Sequence, residues 1–195
     1  MPSRKPRVRD RILSAATELF SRRGIRSVSV DAIATEAGSN KMSFYRHFRS
    51  KEQLAAEYLH TLIREAWEHW DATIAPFQGN PRRQLEALFA AHLAKNNAAR
   101  GCAFANVTIE IPNDIHVLAG LVRGFKLEVG ERLRKMAHEL EVRDPGALGD
   151  ALMLLMDGCD FTRLVFRGNA GPTASLMIAV NALIDAHKSD DECDL

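Results

Sequence analysis

The chain reads as all-α, and three observations predict it. Apolar residues recur at helical spacing along most of its length, proline and glycine punctuate those runs, and no stretch alternates apolar and polar residues as a strand would. With 195 residues it can bury one good core plus a small extra domain. The expected architecture is about nine helices: a three-helix N-terminal domain over residues 1–51 and a larger helical bundle over 52–195.

Within the first domain, Ser29 to Gln53 is the most informative stretch. Ser29 is a plausible N-cap, Asp31 places an anion in the first turn, and Val30, Ile33, Ala34 and Ala37 form an apolar stripe. Gly38 ends that helix, because such a turn needs a left-handed backbone. The next helix runs roughly from Asn40 to Phe48, and Ser50-Lys51-Glu52-Gln53 is a capping box that opens another.

On a helical wheel of about 100° per residue, Phe44 and Phe48 share one face while Met42, Ser43 and Arg46 point the opposite way. The aromatic pair is expected to anchor the helix and the other three to face a nucleic-acid groove. Tyr45 and His47 fall on the flanks, where a groove-inserted helix meets phosphates, and Lys51 adds a cation beside exposed backbone N–H groups.

Charge is distributed to match. The chain is nearly neutral at +1, yet Met1 to Lys51 holds twelve Lys and Arg against four Asp and Glu, and the remainder is acidic. Arg4, Lys5, Arg7, Arg9 and Arg11, mixed with Pro2 and Pro6, suggest a basic arm suited to phosphates or a minor groove.

Residues 9 to 54 resemble the N-terminal domain of the tetracycline-repressor (TetR) family of bacterial transcription regulators. The matching parts are Arg11-Ile12-Leu13 through Leu19-Phe20, Arg23-Gly24, Ser29-Val30-Asp31, Ile33-Ala34, Ala37-Gly38, Lys41, Phe44-Tyr45-Arg46-His47-Phe48 and Ser50-Lys51-Glu52. So many matches in order are far more specific than a lone motif. The resemblance implies a helix-turn-helix that binds double-stranded DNA, with Lys41, Tyr45, His47 and Lys51 on phosphates and Ser43 and Arg46 near bases or backbone. Ser39 and Asn40, at the mouth of the recognition helix, complete the expected set with Met42. Two positions depart from the family pattern: Ser39 stands where an apolar residue is common, and Met42 where glycine is common. Ser39 is expected to loosen the turn slightly or to bond a backbone group; Met42 offers an apolar contact for a thymine methyl.

Past Lys51 the breaks fall at Pro76 to Pro81, Gly101, Pro112 to Asp114, Asp144-Pro145 and Gly168 to Pro172. Asn80-Pro81 and Asp144-Pro145 each place an N-cap type before a proline that can open a helix, and Gly171-Pro172 places proline where another begins. The last two runs, Ala147 to Phe166 and Thr173 to Ala186, are apolar around most of their circumference, which implies a second buried face and hence a partner. In the resembled family the last two helices form a homodimer's four-helix interface, which places Leu155, Cys159, Val180 and Leu183 there.

Between these parts, Trp67, Trp70, Phe89, Phe104 and Phe125 are candidates for the walls of a small-molecule chamber. His92, Asn106, Thr108, Glu110 and His116 are candidates for orienting groups, although singly each reads as a core or surface residue. Trp67, Phe104, Asn106 and Phe125 are chosen as effector contacts, the existence of a pocket being what the resemblance implies.

Enzyme classes find no support, because the sequence holds no Gly-rich phosphate loop, nucleophile elbow or metal-spaced ligand set, and no cofactor is expected. Cys102, Cys159 and Cys193 are too few and too scattered for a disulfide framework, and no apolar run spans a bilayer or forms a signal peptide, so a reducing cytoplasm is the expected home. The combined expectation is a homodimeric, ligand-responsive repressor released from an inverted-repeat operator. An alternative makes Cys102 a thiol sensor, since it follows Arg100-Gly101 and can open a helix, both of which depress a thiol pKa; the plainer reading is a small buried apolar residue.

Overall fold

The computed structural model describes residues 7–94, 102–111, 116–166 and 171–188. The expected arm residues Pro2, Arg4, Lys5 and Pro6, the breaks at Gly101 and Pro112 to Asp114, the side chain of His116, and Cys193 lie outside the described residues. Among the described residues the secondary structure is helical with no strand, in the order α1 (Val8–Arg23), α2 (Val30–Glu36), α3 (Lys41–His47), α4 (Lys51–Ile74), α5 (Pro81–Ala94), α6 (Ala103–Glu110), α7 (His116–Glu139), α8 (Pro145–Phe166) and α9 (Leu176–Ala186).

The helix starts follow the capping chemistry of the sequence. Asn80 Oδ1 accepts from the Arg83 N–H at 3.0 Å and Asp144 Oδ1 from the Ala147 N–H at 2.9 Å, each ahead of a proline that needs no N–H partner. Before α9 the chain differs from expectation. Pro172–Ser175 forms a short 3-10 turn, and the α-helix proper begins only at Leu176.

Packing divides the chain into two units, one of residues 1–64 with 102–123, the other of 65–101 with 124–195. The sequence boundary between residues 51 and 52 falls inside the first unit, at the start of α4. In the first unit the buried side chains include Ile12, Leu19, Phe20, Ile33, Phe44, Phe48, Leu54 and Tyr58, with Phe20 edge-on to Tyr58 at 5.5 Å.

The second unit has its own core, centred on Leu85, Phe89, Leu133, Leu148, Leu152, Val180 and Ile184. There α7 and α8 approach closely at Gly149: a Cβ at that position would stand 2.5 Å from Arg134 Cγ and 2.8 Å from its Cα, so only glycine fits. Arg132 lies 3.9 Å over the ring of Trp67 and pairs with Asp71 at 2.8 Å, fastening α7 to α4.

The two apolar helices divide their faces between core and solvent. Of the residues expected at a partner's interface, Cys159 and Val180 are buried in the core of their own unit, and Leu155 and Leu183 pack partly buried against the same core. Other side chains face outward. Leu154 is 73% exposed and Phe161 68%, with Val165 on the same face of α8, and Ile178 on α9 is 72% exposed.

Candidate nucleic-acid interface

A short local sequence builds the α2–α3 unit almost without help. Ser29 Oγ accepts from the Ala32 N–H at 3.1 Å to start α2, and Gly38 ends it at φ 58°. The turn is closed by two backbone bonds, Gly38 N–H to Thr35 O at 3.0 Å and Ser39 N–H to Ala34 O at 2.8 Å, the paired pattern of a glycine-capped helix end. Ser39 therefore serves through its main chain; its hydroxyl makes no hydrogen bond among the described residues. A serine here forgoes the apolar contact that often accompanies this turn.

Asn40 Oδ1 accepts from the Ser43 N–H at 2.9 Å and so caps α3. The helix then buries Phe44 and Phe48 completely and turns its other side to solvent. Met42 is 71% exposed and Tyr45 50%; Lys41, Arg46 and His47 are exposed, and Ser43 is half-buried. Tyr45 leans edge-on against Phe44 at 5.3 Å, which fixes its ring while leaving the hydroxyl outside. Arg46 and His47 make no ion pair among the described residues, so their hydrogen-bond donors are available. Lys41 bridges to Asp31 at 3.1 Å, an exposed pair worth little and readily exchanged for a phosphate.

Lys51 is differently placed. Its ammonium donates to the carbonyls of Ile25 at 2.9 Å, Arg26 at 3.4 Å and Val28 at 3.0 Å, holding together the loop between α1 and α2. Burial pushes its pKa below the ordinary lysine value, with Glu110 and Glu52 opposing. Glu110 also accepts from the Arg26 N–H at 3.3 Å, so the end of α6 braces the same loop. The capping box behind Lys51 is present in altered form: Ser50 Oγ accepts from Gln53 N–H at 3.1 Å, while Gln53 Oε1 accepts from Arg49 rather than from the cap residue, at 2.7 Å. On the far side Arg9 pairs with Glu57 and covers the Phe48 ring. Two of the basic residues thus serve the domain's own packing.

The expected effector contacts fall in different places. Trp67 and Phe125 meet in the second unit with ring centroids 5.0 Å apart, whereas buried Phe104 and half-buried Asn106 belong to α6 in the first unit. His92, a candidate orienting group, is buried beside Asp160 at 3.0 Å, and its carbonyl accepts from Arg163. Thr108 bonds back to the carbonyl of Phe104 at 3.1 Å. Cys102 is half-buried and stands at the N-cap of α6 without a side-chain cap bond.

Residues 12–58 match the sequence profile described as bacterial regulatory proteins, tetR family. A curated repressor, DhaR from a Mycobacterium species, is 29% identical over 104 residues, covering 53% of this chain and 52% of that protein. KstR2, a repressor from Mycolicibacterium smegmatis, is 39% identical over 62 residues, covering 32% of this chain and 30% of its own. The chain spans about half to three fifths of the length of the first curated relatives it matches. Among solved structures, a TetR-family regulator from Streptomyces coelicolor superposes with TM-score 0.86 at 24% identity, covering 93% of this chain and 96% of its own. A regulator of the same kind from Streptomyces avermitilis gives 0.75 at 26% identity, covering 93% and 98%.

Proposed function

We propose, from the premise that the chain belongs to the tetR family of bacterial regulatory proteins, that it is a homodimeric transcriptional repressor that leaves its operator when a small molecule binds. The observation that carries this reading is the α3 surface: Met42, Ser43, Tyr45, Arg46 and His47 project from a rigid glycine-capped turn while Phe44 and Phe48 fix the helix from behind. A seven-residue helix so held suits the major groove, with Met42 and Arg46 at base edges and Tyr45, His47 and Lys41 at phosphates. The partly matched relatives DhaR and KstR2 are repressors, which supports the direction of control. The reading places the protein in the cytoplasm, where its DNA is.

One α3 touches too few base pairs for high specificity, so a second copy is needed. The exposed stripe of Leu154, Phe161 and Val165 on α8, with Ile178 on α9, is the surface that second copy covers. The operator is then an inverted repeat with half-sites about one helical turn or slightly more apart.

Release works through α4, a single 24-residue helix that begins at Lys51 in the first unit and continues through Trp67 and Trp70 in the second. A ligand held by the second unit shifts this helix and with it the spacing of the two α3 helices. DNA and effector then oppose each other by a reciprocal coupling energy, typically about 1–3 kcal/mol.

Fluorescence anisotropy over a salt series tests the interface. Tyr45→Phe should weaken binding to specific and scrambled duplexes alike, whereas Arg46→Ala should relax preference at one operator position, a discrimination of about 1–3 kcal/mol. Unchanged affinity in both variants removes α3 from the interface.

A further inference from the structure

A cleft of about 740 Å³ opens within the second unit, between the end of α4 and the turn after it, the first turn of α5 and the C-terminal half of α7. That volume lies in the range of small-molecule sites. Trp70 and Met136 form an apolar wall, and Gln84 of α5 lines the interior.

Gln84 is the unexpected residue. It is 9% exposed, it sits beside core residues Leu85 and Leu88, and its side-chain amide makes no hydrogen bond among the described residues. Its amide atoms are not fully enclosed, so their donor and acceptor open to the cleft rather than stand unsatisfied in the core. The amide offers both donor and acceptor along one edge, so its complement is a group with an adjacent acceptor and donor.

The charges around the cleft narrow the choice further. Arg132 and Lys135 are opposed by Asp71 and Glu139, so the lining carries no formal net charge. Arg132 is already committed to Asp71 and Glu128 and to the Trp67 ring, which removes it as an anchor for an anion. An aromatic wall at Trp70, an amide edge at Gln84 and balanced charge together suit a neutral, planar molecule.

We propose that this cleft binds a neutral, flat heteroaromatic carrying a lactam-type edge, with Gln84 pairing to that edge and Trp70 stacking on the ring. The site deepens the effector reading and rests on it only for the consequence at DNA; binding itself does not require it.

The test uses the full chain with quinolin-2-one and its N-methyl derivative, which keeps the ring but blocks the donor, and measures dissociation constants by ligand-observed NMR. Quinolin-2-one should bind at least about fivefold tighter than the N-methyl compound, and Gln84→Leu should abolish that preference while keeping the helical circular-dichroism spectrum. Should Gln84→Leu fail to fold, Overhauser contacts between the wild-type Gln84 amide protons and quinolin-2-one give the same answer. Equal binding of the two compounds, no binding at millimolar concentration, a preference that survives Gln84→Leu, or absence of those contacts overturns the site. Operator affinity measured alongside keeps the two ideas apart: binding without release of DNA refutes this molecule class as effector and leaves the site standing, whereas release by other compounds without quinolin-2-one binding refutes only the site.

Discussion

The α2–α3 turn and the α8–α9 pair represent two ways in which a sequence specifies structure. In the turn every decision is local: Ser29 caps, Gly38 takes the left-handed backbone, Asn40 caps again, and Phe44 and Phe48 repeat at helical spacing. In α8 and α9 apolar residues lie on nearly every face, and the division between core and surface depends on which helices pack against them. Local chemistry assigns a residue to its side of a helix when only one side is apolar. It cannot do so when both are.

The comparison can be broken most forcefully at α9. Val180→Asp puts an unpaired carboxylate into the core of the second unit and should destabilise it by about 3–5 kcal/mol, seen as lost or strongly lowered thermal melting. Phe161→Glu, on the exposed face of α8, should leave the melting temperature of the isolated chain nearly unchanged and instead yield monomers by sedimentation at micromolar concentration. If the two variants behave alike, the outward stripe is not the dimer surface.

Lys51 gives the next largest effect and sharpens the contrast inside the first unit. Lys51→Met removes the donor that three loop carbonyls share and should cost about 1–3 kcal/mol of stability in thermal melts, together with DNA affinity. Tyr45→Phe, exposed on α3, should lower DNA affinity with no change in melting. A Lys51→Met protein that melts like wild type while losing DNA affinity would make the lysine a phosphate contact after all.

The smallest effect concerns the thiols. Burial raises the pKa of Cys159 above its ordinary value, so the fold holds the neutral thiol; that contribution is intact at neutral pH and is lost as pH climbs through the alkaline range. Peptide mapping after brief iodoacetamide treatment at neutral pH should show Cys159 unmodified and half-buried Cys102 labelled slowly. Rapid labelling of Cys102 accompanied by release from DNA would revive the thiol-sensor alternative.

Much of the fold and of the α3 surface was legible beforehand because caps, the turn glycine and the Phe44/Phe48 spacing each act over four residues or fewer. Lys51 reads as a phosphate contact from its position at a helix start, and only the folded loop shows its ammonium bound to carbonyls 23 to 26 residues away. Cys159 and Val180 read as partner contacts from their place in the two apolar helices, and only the packed unit shows both side chains in its own core. A signal for the outward side existed: Leu154, Gly158, Phe161 and Val165 follow each other at spacings of four, three and four, and no neighbour stands within 4 Å of a Cβ at Gly158. Gln84 had a signal too, as a polar residue one turn before Leu88 on the buried face of α5.

The central claim, that two copies of α3 read DNA together, is tested most directly by selecting bound duplexes from a random library with the full chain and sequencing them. The account predicts enrichment of an inverted repeat whose half-sites are about one helical turn or slightly more apart, relaxed at one position of each half-site by Arg46→Ala and lost when Phe161→Glu replaces the wild type. Enrichment of a single asymmetric site, or of no sequence at all, would contradict it.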